Sequence, residues 1–236
     1  MFRDITLIGM VATVVAVLGH RVIFGAVKMG DGERKRTVRR FSLWERFMHV
    51  VTVLGFLALA VTGFFEVVEG ESLHGWLWVV HVAVAPLFIL GLAAVLLTWA
   101  KDGRFASYDW QWVKVLGGYL RFGGHPPAGR FNAGQKAYFW AAALLGLSAL
   151  VSGLGRVFPV FGPLGQEILY QVHRWTALAF VLSAIVHLYL GTLANPGTFL
   201  AVILGRVSPA WAETHHRVWW NDMQRRAENK GELSER

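Results

Sequence analysis

Residues 173–192 read HRWTALAFVLSAIVHLYLGT, and the fold follows from what this stretch can be. It belongs to an apolar run over 168–194, longer than the roughly 20 helical residues needed to cross a hydrocarbon core of about 30 Å. The apolar residues are continuous instead of alternating, which argues against a barrel strand. In lipid every backbone polar group must be paired, and a single segment achieves that as a helix. Its two histidines, His173 and His187, are 14 residues apart, a rise of about 21 Å and nearly four turns. They project from about the same face at two depths.

Working outward, four more runs are long enough to span: 5–27, 47–65, 75–100 and 137–154. Composition agrees, since 55% of the 236 residues are hydrophobic and only 16% charged, against roughly 25% charged in a soluble domain. The expected fold is an all-α integral membrane protein, a five-helix transmembrane bundle. The first run lacks a strongly basic start and is followed by a basic block instead of a small-residue cleavage site, so it reads as an anchor, not a signal peptide. The chain contains no cysteine. That excludes disulfides, thiolate zinc and iron-sulfur sites, nucleophilic cysteine chemistry and covalent c-type haem attachment.

The net charge of +8 is confined to segments between the apolar runs, so it reports topology and not nucleic-acid binding. Of 23 Lys and Arg residues, 19 fall in 28–46, in 101–136 and beyond Asn195, all on one side of a five-span chain. By the positive-inside rule that side is the cytoplasm, with the N-terminus outside and the C-terminus inside. The opposite loops carry Glu66, Glu69, Glu71 and Glu167 against Arg156. Between the third and fourth runs, Trp110, Trp112, Val113, Leu116, Tyr119 and Leu120 recur at helical spacing. This predicts an amphipathic interfacial helix, ended by Gly123, Gly124, Pro126 and Pro127. There is no internal repeat.

An ionisable residue at membrane depth is a functional candidate by default. The alternating direction of the spans puts His49 near the inner surface with His187, and His81 near the outer surface with His173. Two stacked histidine pairs suit two b haems with bis-imidazole ligation, neutral imidazole being a good iron ligand. A lone intramembrane histidine is more often a packing residue, but four that pair by depth are harder to assign that way. His74, seven residues from His81 near the same surface, is the rival ligand. His20 reads as a packing or interfacial residue, and His215 and His216 with Trp219 and Trp220 as interfacial. Gly55, Gly63, Gly91, Gly146 and Gly153 suit close helix approach or room for a porphyrin.

FNAGQKAYFW (131–140), the histidine pair in 173–192 and GRVSPAWAETHH (205–216) resemble the γ subunit of membrane-bound respiratory formate dehydrogenase, a di-haem cytochrome b. The likeness covers about residues 40–220. It divides the chain into an extra N-terminal helix and basic linker (1–39), a four-helix di-haem domain (40–220) and a charged cytoplasmic tail (221–236). The resemblance implies that His81 and His173 hold the periplasmic-side haem and His49 and His187 the cytoplasmic-side haem. It also implies that Asn132, Gly134, Gln135 and His187 line a menaquinone site. The implied partners are an iron-sulfur β subunit and a molybdenum or tungsten α subunit, in a complex that can oligomerise further. Formate oxidation itself belongs to the partner. Asn132 is equally a helix N-cap by residue type. Cytochrome b subunits of hydrogenases and of thiosulfate or polysulfide reductases share the architecture, so the partner's substrate is not encoded in this chain. A haem-free anchor and a proton-coupled transporter are the other readings, the latter disfavoured by few intramembrane carboxylates and no evident inverted repeat.

Overall fold

The computed structural model describes residues 1–26, 35–120, 124–229 and 231. Lys28 and Arg34 of the basic block, Arg121, Gly123 and the last residues of the charged tail lie outside the described residues. Five long helices are apolar enough to cross a membrane: α1 (Phe2–Phe24), α2 (Leu43–Glu69), α3 (Gly75–Trp99), α5 (Ala133–Val157) and α6 (Pro163–Gly191). Shorter helices are α4 (Asp109–Lys114), α7 (Thr198–Leu204), α8 (Pro209–His215) and α9 (Arg217–Asn229). The two short strands are β1 (Val38–Arg39) and β2 (Arg206–Val207).

All five expected spans are helices, but α2, α5 and α6 begin four or five residues before the expected run. Hydropathy marks the stretch that meets lipid, whereas the helix continues into polar residues that can meet water or headgroups. Pro163 starts α6 at the position where its missing N–H costs nothing. The expected amphipathic helix over 110–120 is a six-residue α4 followed by a 3₁₀ turn at Leu116–Gly118. Gly117 and Gly118 take φ of 68° and 77°, which a continuing helix does not allow, so the periodic pattern is cut short.

The described chain forms two compact units. The first comprises Met1–Gly19, Trp44–Thr98 and Trp140–Tyr189. In it α2 and α3 approach until a Cβ on Gly55 would stand 3.0 Å from the Cα of Phe88, and one on Gly91 would stand 2.9 Å from Thr52 Oγ1. Small residues at such crossings let backbones pack without a hydrophobic drive. At this level Phe56, Phe88 and Phe180 form a ring cluster, with centroids 5.0 Å apart for Phe56 and Phe180, 6.0 Å for Phe88 and Phe180, and 6.1 Å for Phe56 and Phe88. The extra helix α1 joins this unit through Phe2, whose ring meets Trp175 edge-on at 4.9 Å and the Arg174 guanidinium at 4.4 Å.

The second unit comprises His20–Leu43, Trp99–Phe139 and Leu190–Arg236. β1 pairs antiparallel with β2, Val38 opposite Val207 and Arg39 opposite Arg206. The turn before β2 depends on Gly205, whose φ of 72° ends α7 and whose carbonyl accepts from the N–H groups of Arg40 and Phe41 at 2.9 and 3.1 Å. Ser208 caps α8, accepting from Trp211 N–H at 3.1 Å ahead of Pro209. Phe41, Phe131, Ala201, Val207, Trp211 and Ala212 make the core. The expected boundary between 39 and 40 falls directly after β1, and that between 220 and 221 falls within α9.

Candidate functional site

His81 on α3 and His173 on α6 face each other with ring centroids 6.3 Å apart. Their protonation is fixed by what surrounds Nδ1. Thr62 Oγ1 donates to the carbonyl of Ala58 at 2.8 Å, so its lone pair is what meets His81 Nδ1 at 2.7 Å. His81 Nδ1 therefore carries the proton. The same logic holds for His173, whose Nδ1 lies 3.2 Å from the carbonyl of Ala149, an acceptor only. It also lies 3.1 Å from Ser152 Oγ, which donates at 2.6 Å to the carbonyl of Ser148. Thr62 and Ser152 are 5% and 1% exposed, so water does not compete for these bonds. With both Nδ1 protonated, both Nε2 atoms present lone pairs, the state a metal needs.

The spacing suits a metal shared by the two rings: a metal–imidazole bond of about 2.0 Å, with the ring centre about 1.1 Å behind its nitrogen, would put the two centroids about 6.2 Å apart. Gly63 and Gly153 flank the pair. A Cβ on Gly63 would lie 3.8 Å from His81 Cε1, and one on Gly153 would lie 3.3 Å from His173 Cε1, so these glycines clear the imidazoles. The donor set, two neutral imidazoles and no thiolate, suits a b-type haem.

His49 on α2 and His187 on α6 are both half-buried, and His49 is an electrostatic neighbour of His187. His74 is exposed, its Nδ1 donating to the carbonyl of Ser72 at 3.0 Å. His20 Nε2 donates to the carbonyl of Tyr119 at 3.2 Å, and its ring packs 5.0 Å from Phe24.

The Asn-Ala-Gly-Gln-Lys segment opens α5 as a reciprocal cap. Asn132 Oδ1 accepts from Gln135 N–H at 2.9 Å, and Gln135 Oε1 accepts from Asn132 N–H at 3.0 Å. The cap uses the two side-chain oxygens and not the two NH2 groups. Gly134 is covered by Trp112 of α4, since a Cβ there would fall 2.6 Å from Trp112 Cη2. Next along the helix, Lys136 forms a buried ion pair with Asp109, Nζ to Oδ2 2.7 Å. Sequence reasoning missed this pair. Its signal, one lysine inside an apolar helix start and one aspartate opening α4, carries no fixed spacing that would join them.

His216, expected at an interface, is 2% exposed, and its Nδ1 donates to the carbonyl of Gly129 at 2.7 Å. His125 and His215 rings lie 5.1 Å apart. Burial first, then His125 and Arg40, holds His215 down to about 4, and burial with Arg40 holds His216 well below the usual histidine range. Arg40 is itself 3% exposed, stacked 4.6 Å from Trp211 and 5.2 Å from Phe41. Burial, with Arg130 nearby, lowers it to about 9. Its Nη2 donates to the carbonyl of Arg130 at 2.9 Å, and Arg130 returns the bond to the Arg40 carbonyl at 2.6 Å.

Comparison with known proteins adds the family. The cytochrome b556(fdo) subunit of formate dehydrogenase from Escherichia coli strain K12 is 28% identical over 220 residues, covering 85% of this chain and 100% of that one. The cytochrome b556(Fdn) subunit of the nitrate-inducible formate dehydrogenase of the same strain is 24% identical, covering 86% and 98%. The formate dehydrogenase cytochrome b556 subunit of Haemophilus influenzae is 27% identical over 120 residues, covering 48% and 50%. Residues 40–205 match a family described as prokaryotic cytochrome b561. Together with the five apolar helices this makes the chain a multi-pass membrane protein whose family implies haem b. With the match covering most of its length, from the residue after β1 to the turn before β2, the chain belongs to the prokaryotic cytochrome b561 family.

Proposed function

We propose that this chain is the membrane cytochrome b subunit of a respiratory formate dehydrogenase, carrying electrons through two b haems to menaquinone. The observation that carries the reading is the His81–His173 pair, whose 6.3 Å centroid separation and protonated Nδ1 atoms suit bis-imidazole ligation. His49 and His187 form the second pair. A haem held this way supplies one-electron chemistry, its iron cycling between ferric and ferrous states. The histidines hold and orient the group, Thr62, Ser152 and the Ala149 carbonyl set the tautomer of the outer pair, and the Phe56–Phe88–Phe180 cluster keeps the unit closed between the two levels.

An iron-sulfur β subunit delivers electrons at the periplasmic pair, from a molybdenum or tungsten α subunit that oxidises formate, the substrate in the relatives' names. Asn132 and Gln135 offer NH2 donors to the quinone carbonyls and Trp112 over Gly134 gives an aromatic wall, and His187 is the further residue that the family resemblance assigns to quinone binding. The chain lies in the bacterial cytoplasmic membrane with a periplasmic N-terminus and cytoplasmic C-terminus, a topology supported by the basic segments. Residues 40–220 form the di-haem domain, preceded by an extra helix with its basic linker (1–39) and followed by a charged tail (221–236). Electrons taken outside and protons taken inside make the reaction electrogenic.

The test is a reduced-minus-oxidised spectrum with pyridine haemochrome quantification on the purified chain and on His49→Ala, His81→Ala, His173→Ala and His187→Ala. About two b haems per chain, with each variant losing one of two spectral components, is the expected result. A folded parent that stays colourless under haem-sufficient expression refutes it.

A further inference from the structure

The start of α5 and the start of α4 each carry a buried charge that electron transfer does not use. Lys136 and Asp109 side chains are 2% and 4% exposed, and Nζ lies 2.7 Å from Oδ2. The N–H of Ala106 donates to the same oxygen at 2.7 Å. The other oxygen, Asp109 Oδ1, is buried with no hydrogen-bond donor among the described residues. Tyr108, in the turn ahead of α4, faces the pair as a titratable neighbour, its ring 5.0 Å from Nζ. The pair stands within the second unit beside Asn132, Gly134 and Gln135, and α4 supplies both Asp109 and the Trp112 that covers Gly134.

Two features separate this pair from a packing clamp. Removing both charges from water is unfavourable enough that apolar side chains of like volume often clamp as well or better. The unaccompanied Oδ1 is what a buried water or a ligand hydroxyl would satisfy, because buried polar atoms are otherwise almost always bonded.

We propose that Asp109 and Lys136 are the proton relay of the quinone site, an inference that rests on the quinone-reducing reading above. Each quinone gains two electrons, supplied through the histidine-held haems, and two protons. Lys136 Nζ releases one proton toward the reduced quinone oxygen and becomes a neutral amine. A proton from cytoplasmic water, taken up at Asp109 Oδ1, recharges it. After two such cycles the quinone has become a quinol and the pair has returned to its starting charge. In quinol oxidation the same protons leave by the same groups.

The haem-loaded full chain is mixed with menadiol in a stopped-flow instrument, and haem reduction is followed by absorbance across pH. The variants are Asp109→Asn, Lys136→Met and the double Asp109→Asn/Lys136→Met, in which no buried charge is left unpaired. Relay predicts normal haem content in the double variant, a maximal rate lowered about 100-fold, little change in the menadiol concentration at half-maximal rate, and a flattened pH profile. It also predicts an infrared band of a carboxyl group on menadiol addition, shifted in D2O and absent in Asp109→Asn. A structural clamp predicts that the double variant recovers the parent's rate and pH profile, and that result overturns the proposal. Failure of all three variants to hold haem assigns the pair to folding and overturns it too. A haem-loaded parent that menadiol does not reduce defeats the quinone reading itself, an outcome seen without any variant.

Discussion

Replacing Thr62 by valine keeps the shape of the side chain and removes the acceptor at His81. Thr62 Oγ1 meets His81 Nδ1 at 2.7 Å and is 5% exposed, so the N–H it leaves behind has no water to turn to. An unmade buried hydrogen bond costs about 1–3 kcal/mol. Independently, losing the group that orients a metal-bound histidine costs about 10–100-fold in affinity, or roughly 1.4–2.8 kcal/mol. The two routes agree. The lost bond also makes the imidazole a poorer donor, which disfavours ferric iron, and a tenfold change in relative affinity shifts a one-electron couple by about 59 mV. Thr62→Val is therefore expected to speed haem transfer to apomyoglobin about 10–100-fold and to raise one of two midpoint potentials by about 30–60 mV. Ser152→Ala should do the same to a smaller degree, because His173 Nδ1 keeps the carbonyl of Ala149 at 3.2 Å. Thr52→Val is the control, its hydroxyl bonding the carbonyl of Met48 at 2.8 Å within α2. Potentials and haem release in Thr62→Val that match the Thr52→Val control would refute the tautomer argument.

Other expectations follow from the same geometry. Asn132→Asp keeps the capping oxygen and loses the NH2 donor, so it should weaken quinone binding while leaving thermal stability near the parent; Asn132→Ala should lose both, with a stability cost of about 1 kcal/mol. If both variants bind a quinone analogue as tightly as the parent, the amide is a cap and nothing more. Gly55→Ala should destabilise by about 1–3 kcal/mol, because its Cβ would press on the Phe88 backbone at 3.0 Å. Gly146→Ala should cost less although its Cβ would press on Leu92, since that neighbour is the movable end of a side chain; denaturation in detergent that ranks them the other way contradicts this. His215 has its folded pKa pushed down to about 4 from 6.5, so the unfolded chain binds the extra proton and stability is lost as pH falls through that window. The loss is at most roughly 3 kcal/mol, less with partial solvent access, and tryptophan fluorescence melts at pH 7 and pH 5 that coincide would disprove it.

How much was legible in the sequence depended on whether the signal was local. The spans could be read because lipid imposes a length and a composition on each helix separately. The pairing of His81 with His173 could be read because alternating direction converts sequence position into depth. The pairing of Asp109 with Lys136, the β1–β2 ladder and the burial of His216 against Gly129 could not. Each joins residues brought together by loops whose path has no periodicity. The interfacial helix over 110–120 shows the opposite failure, where a good periodic pattern was overruled by two glycines with positive φ. The indole of Trp112 lying over Gly134 is another contact of this kind, joining two segments with no fixed spacing.

The three-phenylalanine cluster has a consequence for what can cross this membrane. Phe56 and Phe88 lie seven residues from His49 and His81, and Phe180 lies seven from both His173 and His187, about 10 Å along each helix. An electron tunnels through hydrocarbon over such distances, whereas a proton needs a file of waters or hydroxyls to hop along. Phenyl rings packed 5.0–6.1 Å apart present no such file. On the electron path proposed above, the cluster is a septum that passes electrons and holds back protons, so charge separated by that reaction would not be short-circuited through the protein that separates it.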